Sequence, residues 1–119
     1  MDEHRKETRK KLMAFTPVYD PVRRILLGYL GDLTFQGAKV VGEKPLEINS
    51  QATLEIEFHD DLPGISARIM TIPARVVRCV QDVESPREFD IGFEFTSLKG
   101  EHTKIIQALL ERYQFRLPG

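Results

Sequence analysis

The chain lacks the features that mark several large classes of protein. It has one cysteine, Cys79, among 119 residues. That excludes an internal disulfide and gives no cysteine-based metal cluster. No apolar run approaches the ~20 residues that a bilayer-spanning helix needs. No signal-peptide core follows the N-terminus, which is charged instead. The net charge is only -1, so the molecule as a whole is no electrostatic sponge for nucleic acid. Internal repeats and low-complexity segments are missing, as are nucleophile-elbow, phosphate-loop and zinc motifs. These absences lead us to expect a cytoplasmic protein that is not an enzyme, holds no cofactor and does not insert directly into a membrane.

What is present fits one small domain. The length suits a single core, and 41% apolar with 29% charged residues suits a folded chain. The charge is unevenly placed. Between His4 and Lys11 stand Arg5, Lys6, Arg9, Lys10 and Lys11 against one acid, Glu7. We expect residues 1–11 to be a flexible basic arm and 12–119 to be one domain. An anion site, if the chain has one, belongs near that arm.

Strand-like segments follow. Arg24 to Leu30 is apolar-rich, and Gly37 to Val41 is a short run after a turn. Ala52 to Phe58 alternates, with Leu54, Ile56 and Phe58 on one face. The run from Ile65 to Met70 and that from Ala74 to Val80 are expected to be split or bent at Pro73, with Val76, Arg78 and Val80 sharing a face. Phe89, Ile91, Phe93 and Phe95 alternate with Asp90, Gly92 and Glu94. Near the end, Ile105, Ile106, Leu109, Leu110 and Tyr113 recur at helical spacing, which predicts a helix over about 101–115. Short, evenly spaced antiparallel strands and one terminal helix point to a mainly β fold, a small barrel with a helix packed on it.

One constellation has a chemical meaning. Arg5 and Arg9 are four residues apart, and Asp32-Leu33-Thr34-Phe35-Gln36-Gly37 comes about two dozen residues later. A guanidinium fork grips a phosphate, or the O6/N7 edge of guanine, with two parallel bonds. A carboxylate accepts from guanine N1–H and N2–H. A hydroxyl adds one bond in a tight place, and a glycine permits positive φ at a turn. Together these are the parts needed to hold an anionic, guanine-bearing ligand. Taken singly, Arg5 to Lys11 reads as a solvated tail and the 32–37 segment as an ordinary polar turn.

In this order the two motifs resemble those of the PilZ family, RxxxR and [D/N]xSxxG, with Thr34 in place of the usual serine. Ile91-Gly92-Phe93-Glu94-Phe95 resembles a late strand of that family, and the resemblance runs from about Arg5 to Phe115. It implies a six-stranded antiparallel barrel of the split-barrel type with a C-terminal α-helix. It also implies a bacterial, non-enzymatic receptor for cyclic di-GMP that passes the signal to a protein partner, with motility, exopolysaccharide or biofilm-type outputs. By this resemblance Arg5 and Arg9 contact guanine and phosphate, Asp32 contacts guanine, Thr34 lends a hydroxyl and Gly37 keeps the turn open. Histidine at position 4 leaves open whether one ligand or a stacked pair binds. Arg78 and Arg87 are candidates for additional contacts.

Other readings stand beside this one. The same fold could be a protein-interaction module that binds no nucleotide. Nucleic-acid binding through the basic arm is disfavoured because the strands lack interleaved aromatic and basic residues. His59-Asp60-Asp61 could ligate a divalent ion, but a polar turn before Pro63-Gly64 is the simpler reading. His102 is expected at the surface, and Cys79 is expected to be a small strand or core residue.

Overall fold

The computed structural model describes residues 11–12, 16–58 and 61–114. Arg5 and Arg9, and the expected basic arm with them except Lys11, lie outside the described residues. Six strands close into an antiparallel barrel: β2 (Pro17–Asp20), β3 (Ile25–Leu33), β4 (Gly37–Gly42), β5 (Gln51–Glu57), β6 (Ile69–Gln81) and β7 (Phe89–Phe95). Around the wall they run β2-β3-β4-β7-β6-β5, and β5 pairs with β2 to complete the circle. One helix, α1 (Gly100–Arg112), follows. Two short strands, β1 (Lys11–Leu12) and β8 (Tyr113–Gln114), pair in parallel outside the barrel.

The alternating segments behave as their periodicity predicts. Leu54, Ile56 and Phe58 are buried, as are Ile91, Phe93 and Phe95. They meet Val18, Val40, Ile72 and Val76 in the barrel interior. Ile105, Ile106 and Leu109 carry the apolar face of α1 into the same core. Cys79 is half-buried against it.

Four local expectations are corrected. Pro73 does not split the chain there, because β6 runs through it without a break. β7 ends at Phe95, opposite Ala74, and the Pro73 carbonyl accepts the Thr96 N–H at 3.0 Å. The polar edge of Pro73 therefore faces Thr96, one residue past the end of β7, so the bond its missing N–H forgoes lies beyond that strand and leaves β6 continuous. The run from Ile65 is not a strand until Ile69; Ile65 makes only a lone bridge to Leu62. Val76 does not share a face with Arg78 and Val80. The register of β6 against β7 slips between Val76 and Arg78, so Val77 is an extra residue and the next side chains reverse: Val76 is buried while Arg78 and Val80 are exposed. The helix stops at Arg112, because Tyr113 is already extended, although its N–H still reaches the Leu109 carbonyl.

His102 is also not a surface residue. It is buried at the start of α1. Its Nδ1 accepts the Lys99 N–H at 3.0 Å, and its Nε2–H donates to the Thr71 carbonyl at 2.9 Å. The imidazole thus fastens the first turn of the helix to β6. Periodicity misses this, because the group earns its burial through two hydrogen bonds rather than through an apolar face.

Candidate ligand-binding site

The β3–β4 hairpin builds the site, and a bulge decides which side chains it presents. Leu30 and Leu33 are both buried although three residues apart. Strict alternation would send them to opposite faces. The register of β3 against β4 slips between Leu30 and Asp32, so Gly31 is an extra residue that resets the phase. Asp32 consequently stands on the outer wall, half-buried. Bulges re-aim side chains in this way. One oxygen of Asp32, Oδ1, accepts the Leu33 N–H at 2.9 Å.

Thr34 closes the turn. Its N–H donates to the Gly37 carbonyl at 2.9 Å. Its Oγ1 accepts the N–H of Gln36 at 3.1 Å and that of Gly37 at 3.2 Å, and donates to the Gly37 carbonyl at 3.3 Å. The hydroxyl is therefore engaged in shaping the turn itself. A threonine keeps that capacity and adds only a methyl group.

Gly37 is needed for a reason other than the expected one. The glycines with positive φ are Gly28 and Gly64, not Gly37. A Cβ on Gly37 would instead lie 2.1 Å from the Phe93 carbonyl oxygen. The glycine lets β4 close against β7, where Gly37 faces Glu94.

These residues share one cavity. Asp32, Thr34 and Gly37 line an open hollow of about 320 Å³ on the outer wall, which is floored by the strand segments that carry the buried Leu33, Ala38 and Phe93. Gln36, Lys39 and Glu94 also line it. Lys39 and Glu94 were not anticipated. The alternation around them carried the signal: Ala38 and Val40 point inward, so Gly37 and Lys39 point outward. The same rule puts Glu94 outward between Phe93 and Phe95.

The electrostatics are mixed. The lining has two carboxylates, Asp32 and Glu94, and one ammonium, Lys39. Glu94 is ion-paired with Arg75 on the neighbouring strand, and the Arg75 Nε is buried with no hydrogen-bond partner. Lys39 Nζ lies 3.8 Å from Asp90 Oδ2. A wall of this kind suits the donor edge of a base such as guanine. Among the described residues Lys39 is the one cation in that lining, so phosphates bound there call for further cations beside it. Arg78 stands on the outer wall opposite Gly92, and Arg87 lies in the β6–β7 connection; neither lines the cavity. Of the His59-Asp60-Asp61 group, His59 and Asp60 lie outside the described residues, and Asp61 Oδ1 pairs with Arg68 Nη2 at 2.7 Å. Among the described residues no cluster of metal-ligating side chains is present, and no helix is long and apolar enough to cross a membrane.

A family model for the PilZ domain matches residues 3–112. Comparison with curated proteins and with solved structures gave no match. The matched span takes in both motifs, the whole barrel and the helix, and the chain belongs to the PilZ domain family.

Proposed function

We propose that this PilZ domain is a receptor for cyclic di-GMP that binds its ligand through Arg5, Arg9, Asp32, Thr34 and Gly37 and passes the signal to a protein partner in the bacterial cytoplasm. PilZ domains are generally non-enzymatic modules associated with this ligand. The single observation that carries the reading is the meeting of Asp32, Thr34 and Gly37 at one open cavity. In this reading the hollow takes a base, Asp32 accepts from the guanine N1–H and N2–H, and Arg5 and Arg9 add positive charge to that of Lys39, the one cation among the described lining residues.

Ordering that segment over the ligand costs about 1–2 kcal/mol per residue fixed. Charge-assisted hydrogen bonds of about 1.5–3 kcal/mol each must offset it, so each arginine matters. Calorimetric titration with cyclic di-GMP tests the proposal and reports stoichiometry, one ligand or two, in the same measurement. Arg9→Ala is expected to lower affinity at least about tenfold, which corresponds to ~1.4 kcal/mol. Unchanged affinity in that variant would remove Arg9 from the site. A flat titration of the folded wild-type chain at tens of micromolar would favour the interaction module that binds no nucleotide.

A further inference from the structure

The outer wall beside the cavity carries cations that neither motif contains. Asp32, Lys39, Gly92 and Arg78 stand in one register row across β3, β4, β7 and β6. Lys39 and Arg78 are two strands apart, about 10 Å between Cα atoms at the usual strand spacing. Between them Gly92 offers bare backbone. A Cβ there would lie 3.2 Å from the Arg78 Cβ and 3.8 Å from the Val77 Cγ2, so a side chain would crowd the gap. The Val77 bulge turns Arg78 outward onto this row.

Both cations are available. Arg78 is exposed and makes no hydrogen bond or ion pair among the described residues. Lys39 is half-exposed, and its ammonium is 3.8 Å from Asp90 Oδ2, beyond hydrogen-bond distance. An exposed pair of this kind contributes little, so an anion can take the ammonium from Asp90 at small cost. Lysine is a mobile point charge and arginine a planar fork. Two such side chains on either side of a glycine can converge on one phosphodiester.

We infer that Lys39 and Arg78, facing each other across Gly92, form a phosphodiester-binding notch beside the cavity, with Asp90 holding Lys39 until the anion displaces it. The inference rests on the proposed cyclic di-GMP reading and adds to it where the second charge contact is made. It also accounts for how a cavity lined by two carboxylates accepts an anion: the base edge meets the acids and the phosphate meets the notch.

Calorimetry with cyclic di-GMP on the full chain tests it. Lys39→Met and Arg78→Met are each expected to lower affinity about fivefold or more. Arg87→Met removes the same charge from the β6–β7 connection and is expected to leave affinity within about twofold. Asp90→Asn is expected to raise affinity about twofold, and that gain should vanish in the Lys39→Met background, as coupling through a shared partner requires. With wild-type binding intact, unchanged affinity in either Lys39→Met or Arg78→Met overturns the notch alone. So does an equal loss in Arg87→Met, which would report net charge instead. A flat wild-type titration overturns the proposed function and the notch with it.

Discussion

The β3–β4 and β6–β7 connections are closed by the same stitch, which Asp20 also makes at the β2–β3 turn, yet of the β3–β4 and β6–β7 pair only the first borders the cavity that holds the motif. At the β3–β4 turn, Thr34 Oγ1 accepts the N–H groups of Gln36 and Gly37. At the β6–β7 connection, Asp82 Oδ1 accepts those of Glu84 at 2.8 Å and Ser85 at 3.3 Å. This is the ordinary chemistry of short polar side chains in turns. The second connection nonetheless holds Val83 92% exposed and contributes no residue to the cavity. The stitch, then, does not make a site. The difference lies in what stands behind each turn. Behind Thr34 are the Gly31 bulge that turns Asp32 outward, the contact of Gly37 with the Phe93 carbonyl, and the outward Lys39 and Glu94. Behind Asp82 a bulge at Val77 also re-aims a side chain, Arg78, but that turn holds no glycine to approach a carbonyl closely, and none of its residues lines the cavity.

Four substitutions break or sharpen that contrast. The largest effect is expected from Gly37→Ala. The new methyl would press on the Phe93 carbonyl, and such overpacking costs about 1–3 kcal/mol. Urea unfolding should show that loss, and cyclic di-GMP binding should disappear with it. An alanine variant with wild-type stability and affinity would remove the close approach as the site's foundation. The middle effect compares the stitches directly. Thr34→Val and Asp82→Ala should each cost about 0.5–1.5 kcal/mol of stability, but only Thr34→Val should weaken the ligand. Equal affinities in the two variants would erase the distinction between the turns. The smallest effect is expected from Val83→Ser. It should shift stability by less than about 0.5 kcal/mol and leave the titration unchanged, and a measurable loss of affinity would place the far connection in the site.

Much of the barrel was legible because half-buried strands write their burial into a two-residue period. Ala52 to Phe58 and Phe89 to Phe95 gave their inward faces directly. The same period failed wherever the chain inserts one residue. Nothing in Leu30-Gly31-Asp32 or Val76-Val77-Arg78 announces a bulge, and each reverses every side chain that follows. Pro73 misled for a related reason: how far a proline disturbs a ladder depends on where its missing N–H falls, and here that is opposite Thr96, just past the end of β7. Asp32, Thr34 and Gly37 were visible as a motif, but the reason for Gly37 was not. Its requirement comes from Phe93, 56 residues later in sequence. His102 was missed because its partner Thr71 is also remote, 31 residues earlier in sequence. Lys39 could have been found, since its inward neighbours Ala38 and Val40 give its direction.

The short parallel pairing of Lys11–Leu12 with Tyr113–Gln114 joins two distant parts of the chain. One half of that seam precedes the first barrel strand and the other begins directly where α1 ends. A force on the end of the helix is therefore passed to Lys11–Leu12 through backbone hydrogen bonds, and a partner that grips α1 there also handles the chain on its way into the barrel.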